Sequence, residues 1–200
     1  MGNNDRVLYD ERTRLCMLYD EITPNTILTI SKFLLGIIKK DNDESSKIKD
    51  YKREPIILYI YSCGGNMYSA WSLIDIIEAS PTPIYTVVAG SAESAAFMIY
   101  ISGKKRYVMK HARLMFHQFS WNINDQYDKL RDFCHVMDDE WERYTKFVCS
   151  KTSITKAKLE EIREKKQDYW LTSEESIKYH VSDYYYDELI GGKENEEKDL

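Results

Sequence analysis

Ser94, His117 and Asp168 are an alcohol, an imidazole and a carboxylate in chain order, residue types that suit nucleophilic acyl transfer. A neutral imidazole can accept a serine proton and later return it to a leaving amine. A carboxylate can hold the ring in the tautomer that does so. Ser94 follows a buried apolar run and Gly90, and it sits in a stretch of small residues, SAESAAFMIYIS. Small neighbours let the backbone turn sharply and leave the hydroxyl exposed. A helix starting there offers unpaired N–H groups and the positive end of its dipole to a developing oxyanion. This strand–turn–helix order is the logic of a nucleophile elbow, although the GxSxG pattern is absent. A serine at a helix start is more commonly an N-cap, and that alternative stays open here.

Gly64-Gly65 close another apolar run, PIILYIY. A glycine pair at a strand end permits backbone shapes closed to other residues and can aim an N–H at a ligand; a plain turn is the simpler role. His117 ends the run LMF, again at a strand terminus, whereas His135 and His180 lie in charged helical stretches and His111 in a polar turn. Asp168 precedes Tyr169-Trp170, an apolar pair expected to draw it toward the core. The four cysteines, Cys16, Cys63, Cys134 and Cys149, form no CxxC pair, so no metal or redox site is expected and buried free thiols are, with Cys63 left open because it adjoins the glycine pair.

These residues need elements to position them. Leu15–Tyr19 reads as a strand. Thr23 and Pro24 then suit the cap and first turn of a helix with Ile27, Ile30, Leu34, Ile37 and Ile38 inward. Residues 41–52, DNDESSKIKDYK, read as a charged surface loop. The run 55–61 reads as a strand covered on both faces, followed by a helix over 69–79 and a second buried strand over 84–89. A helix around Ser94 ends at Gly103, and two short strands follow over 107–109 and 114–116. A long helix spans 123–150 with the stripe Leu130, Phe133, Met137, Trp141, Tyr144 and Val148, and a shorter one spans 156–165. Thr172 with Glu175 makes a capping box. Alternating strands and helices imply an α/β fold with right-handed crossovers and a largely parallel sheet, whose carboxyl edge would gather the Gly pair, Ser94 and His117. Residues 191–200 read as a disordered tail after one domain over 1–190.

At these residues the sequence resembles the proteolytic subunit of Clp protease, a serine peptidase family. YIYSCGG stands for that family's YINSPGG, GSAES for its nucleophile motif, KKRYVMKHARLMFHQ for the stretch ending in its histidine, and DYWLTSEESIKYHVSD for its third motif. The likeness covers about residues 12–185. It implies a crotonase-like (ClpP) α/β spiral of βαβ units with the 123–150 helix as a protruding handle. It also implies Ser94 as nucleophile, His117 as base, Asp168 as the third member, and Gly65 and Ala95 as oxyanion-hole donors. Ile57 and Tyr59 match positions that dock an AAA+ unfoldase. The family assembles heptameric rings, paired face to face, around a chamber that receives unfolded polypeptide. Departures are Cys63 for the proline of the glycine motif, Glu93 beside the serine, Ala95-Ala96 after it, Lys166-Gln167 where many relatives carry Asp-Arg, and Phe119–Asn122 in place of a glycine-rich turn.

Composition sets the outer bounds. Two hundred residues suit one domain, and a net charge of -5 with no basic stripe argues against nucleic acid as partner. The apolar runs are too short to span a bilayer and the polar start has no secretory h-region, so a cytoplasmic protein without cofactor is expected. The leading reading is an unfoldase-assisted, ATP-dependent serine endopeptidase subunit. The alternatives are a catalytically weak or inactive ring subunit and, ranked lower, a crotonase-type acyl-CoA enzyme.

Overall fold

Thr23 and Pro24 start the first long helix as their chemistry predicts. The computed structural model describes residues 7–120 and 126–191. An antiparallel hairpin of β1 (Val7–Asp10) and β2 (Leu15–Leu18) leads to α1 (Pro24–Ser45), where the Thr23 hydroxyl accepts from the Thr26 N–H. The predicted inward residues of α1 are buried, together with Phe33 and Asp41. The expected loop at 41–52 is corrected in its first half, because the helix runs on to Ser45. Asp41 extends the buried stripe as a charge, and its carboxylate is held by the Arg14 guanidinium (2.6 and 3.0 Å), the Thr82 hydroxyl (2.7 Å) and the Tyr51 hydroxyl (2.9 Å). A sequence pattern that counts only apolar residues ends the helix too early at such a site.

β3 (Ile56–Ser62), α2 (Met67–Ala79), β4 (Ile84–Glu93), α3 (Ala95–Ile101), β5 (Lys105–Val108) and β6 (Arg113–Phe116) follow. Next come α4 (Tyr127–Lys151), α5 (Lys156–Lys165), β7 (Tyr169–Thr172), α6 (Ser173–Lys178), β8 (Tyr184–Tyr185) and α7 (Tyr186–Ile190). The Thr172–Glu175 capping box forms at α6. The sheet runs β1-β2-β3-β4-β5-β8, parallel from β2 to β8; β6 joins it beside the second half of β4 and pairs antiparallel with β7. In α4, Trp141, Tyr144 and Val148 are buried, while Leu130, Phe133 and Met137 are only half-buried. The expected first turn at 123–125 and the expected tail at 192–200 lie outside the described residues.

β3 is covered on one face, not both. Ile56, Leu58 and Ile60 are fully buried against the helices, whereas Ile57 and Tyr59 are half-buried and Tyr61 is exposed. Strand pairing places Met17, Tyr59 and Val87 in one row and Ile57, Tyr85 and Lys105 in another on that outer face. The continuous apolar run therefore records a tyrosine-bearing surface as well as a core. The thiols also divide: Cys16 is buried, and burial pushes it up to about 12; Cys134 is exposed, contrary to expectation, and so is Cys63, the thiol left open beside the glycine pair.

Candidate active site

The site is assembled around β6. On one side, β4 pairs with it as far as Glu93 opposite Met115, and the Ser94 N–H then donates to the Met115 carbonyl (2.8 Å). On the other, β7 pairs with it antiparallel, with Tyr169 opposite Phe116. In that register the next residues outward are Asp168 and His117. One short strand thus fixes the serine to its left, the carboxylate to its right and the imidazole at its own end. His117 Nε2 lies 2.9 Å from Ser94 Oγ, and His117 Nδ1 lies 3.2 Å from Asp168 Oδ1. With the ring proton on Nδ1, facing the carboxylate, Nε2 accepts from the serine hydroxyl.

Ser94 has φ 53° and ψ −118°, a conformation that costs a non-glycine residue about 1–3 kcal/mol. It occupies the N-cap position of α3, yet its hydroxyl makes no capping hydrogen bond. The open alternative of a plain capping serine is therefore not the arrangement found: the hydroxyl faces the imidazole. Space for the turn comes from Gly64, at φ 94°. A Cβ on Gly64 would lie 2.7 Å from the Glu93 carbonyl oxygen and 2.9 Å from Ser94 Cβ. The glycine absent from the elbow's own sequence is supplied from the neighbouring strand end. Gly64 and Gly65 are clamped from behind by the chain before α1: the Ile22 N–H donates to Gly64 O and the Asn66 N–H to Ile22 O, both at 2.7 Å. Gly64→Ala is expected to cost about 2–4 kcal/mol, from the positive φ and the collisions with the Glu93 carbonyl oxygen and Ser94 Cβ, read as a lower urea midpoint.

A cavity of about 260 Å³ opens beside Ser94 and His117. Gly65, Ala95 and Cys63 line it on the polar side; Met67, Met98, Met115, Phe119 and Tyr144 supply its apolar wall. Ala95 opens α3, so its N–H has no acceptor within the helix. Glu93 is not among the lining residues; its carboxylate accepts from the Ser91 hydroxyl (2.8 Å).

The reason given by the sequence for Asp168 is corrected. Its side chain is 57% exposed and Trp170 is 47% exposed, so the following pair does not draw it into the core. Only Tyr169 packs inward, with its ring 5.2 Å from that of Phe116. The antiparallel register places the carboxylate. Ile57 and Tyr59 lie apart from the cavity, on the outer sheet face; the Tyr59 hydroxyl is 2.8 Å from that of Tyr186, and burial together with that hydrogen bond pushes the Tyr59 phenol up. His111, His135 and His180 are exposed and do not line the cavity. Among the described residues no group of three or more His, Cys, Asp or Glu side chains could hold a metal ion, and no helix is long and apolar enough to cross a membrane.

The family described as Clp protease matches residues 8–185. The chain belongs to the Clp protease family. The ATP-dependent Clp protease proteolytic subunit 2 of Tropheryma whipplei is 30% identical over 138 residues, 68% of this chain and 75% of that protein. The corresponding subunit 2 of Treponema pallidum is 23% identical over 128 residues, and the chain spans 63% of its length. Subunit 1 of Shouchella clausii is 23% identical over 174 residues, 86% of this chain and 84% of the relative. A ClpP1 mutant from Listeria monocytogenes superposes with a TM-score of 0.74 at 21% identity, over 88% of this chain and 92% of that one, so the fold is the ClpP fold. The Clp-type spiral thus underlies the strand-end site described above.

Proposed function

We propose that the chain is a serine-type endopeptidase subunit of a Clp-like assembly, with Ser94 as nucleophile, His117 as general base and Asp168 as its orienter. The observation that carries this reading is the contact chain Ser94 Oγ–His117 Nε2–Asp168 at 2.9 and 3.2 Å, with the serine held at positive φ and free of capping. In acylation, Oγ bonds to the scissile carbonyl carbon as its proton passes to Nε2. The carbonyl oxygen becomes an oxyanion between the N–H groups of Gly65 and Ala95. The C–N bond then breaks, and the leaving amine takes the proton from Nε2. Water repeats the sequence in deacylation, again deprotonated by His117.

The apolar wall of methionines and aromatic rings suits an uncharged side chain of the substrate next to the scissile bond. The relatives named as proteolytic subunits of ATP-dependent Clp proteases support a ring assembly fed with unfolded polypeptide by an AAA+ ATPase. The half-buried stripe of Leu130, Phe133 and Met137 is suited to contact another subunit, and the outer-face residues Ile57 and Tyr59 to receive the ATPase. The test is hydrolysis of a fluorogenic peptide by the wild-type assembly and by Asp168→Asn. The variant leaves the imidazole in the wrong tautomer and is expected to lower kcat by roughly 10⁴-fold. A kcat for Asp168→Asn within threefold of wild type would remove Asp168 from this role.

A further inference from the structure

We propose that Tyr61 is a positioning residue for Ser94, bracing from the outer sheet face the bulge in β4 that aims the serine at His117. The inference rests on the reading of Ser94 as nucleophile. Along β3 and β4 the pairing is regular to Ile60 opposite Val88, and it resumes at Ser62 opposite Ala92. One residue of β3, Tyr61, therefore spans three of β4: Ala89, Gly90 and Ser91. A bulge of this kind bends its strand and changes the strand's partners. Here Val88 still pairs with Val108 of β5, whereas Ser91 already pairs with Arg113 of β6. That change of partner brings Ser94 beside the end of β6 and so beside His117.

At the centre of the bulge Gly90 has φ 98°, and the Tyr61 ring fills the place its side chain would take. A Cβ there would lie 2.8 and 3.1 Å from two ring carbons. Tyr61 is 52% exposed, so it covers the bulge from the solvent side. On its other side it meets the Tyr19 ring edge to face at a centroid distance of 5.7 Å. Neither ring touches the cavity, so both act through the backbone of β4. Without the ring the bulge keeps its hydrogen bonds but gains freedom at the glycine, four residues before the nucleophile. A displacement of about 1 Å at a reacting atom is enough to cost up to 100-fold in rate.

The experiment compares the rate at which a fluorophosphonate phosphonylates Ser94 in wild type, Tyr61→Phe, Tyr61→Ala and Tyr19→Ala, alongside kcat and KM for a peptide. In the labelling step an O–P bond forms, fluoride leaves and the serine proton passes to His117. Tyr61→Ala is expected to label about 10-fold to 100-fold more slowly, with kcat lowered in parallel and KM within about twofold. Tyr61→Phe keeps the ring and should retain the wild-type rate. Tyr19→Ala, which leaves Tyr61 in place, should show a smaller loss in the same direction and serves if Tyr61→Ala does not fold. Equal rates in wild type and in whichever of Tyr61→Ala and Tyr19→Ala folds would overturn the bracing role while leaving the nucleophile intact. No labelling of wild-type Ser94 would overturn the nucleophile itself, and this inference with it.

Discussion

Ser94→Ala is expected to lower peptide turnover by roughly 10⁴- to 10⁶-fold while leaving the fold unchanged. The large effect follows from the unit nature of the site: without Oγ, His117 has no proton to remove and only the oxyanion donors and binding remain. The fold is spared for three reasons. The Ser94 hydroxyl caps nothing, so α3 loses no hydrogen bond. Alanine at φ 53° is strained about as much as serine. The Ser94 N–H bond to Met115 is made by the backbone and survives. Thermal unfolding should therefore shift by no more than about 2 °C, about 0.5–1 kcal/mol for a chain of this size. A loss of activity accompanied by a large fall in Tm would instead point to a structural serine.

The largest stability effect is expected at Asp41. Its carboxylate is 1% exposed and is the common acceptor for groups from the β1–β2 turn, the segment after α1 and the α2–β4 turn. Asp41→Ala leaves the Arg14 guanidinium and the Thr82 hydroxyl without their partner in a nearly dry site, and the Arg14 Nε is already buried without one. Breaking such a pair from one side costs about 3–5 kcal/mol, or about 10 °C in Tm. The same carboxylate gives a pH signature. Burial alone would raise its pKa, but the hydrogen bonds from Arg14, Thr82 and Tyr51, with the charge of Arg14, outweigh it and bring the group from 3.8 down to about 2. A pKa lower in the folded than in the unfolded chain contributes stability above the unfolded value and loses it as pH falls. Between about pH 4 and pH 2 this site should lose up to about 2 kcal/mol. Asp41→Asn should start from a lower stability and lack that part of the slope in urea titrations at pH 2, 3, 4 and 6.

What was legible in the sequence, and what was not, divides along physical lines. The strand ends were readable because apolar runs stop at Gly64, Gly90 and His117, and parallel sheets gather such ends on one edge. The resemblance to Clp subunits then singled out Asp168 among many acids. Its placement, however, depends on an antiparallel β6–β7 register that no local pattern announces. In the sequence the Gly64-Gly65 pair offers either an aimed N–H or a plain turn; that Gly64 relieves the Ser94 turn is a fact about two strands meeting. The bulge opposite Tyr61 is hidden for the same reason, since it exists only in the pairing of β3 with β4. Asp41 escaped because a buried charge breaks the apolar periodicity by which helices are recognised, and β3 was overfilled because tyrosines count as apolar although half of the ring's edge is at home in water.

Treating the native protein with a fluorophosphonate and locating the adduct by peptide mass spectrometry shows whether Ser94 is the activated nucleophile. One adduct is expected, on Ser94, and it should be lost in His117→Ala although the serine is still present. Labelling at another serine, or an undiminished Ser94 adduct in His117→Ala, would exclude the Ser94–His117 nucleophile and base.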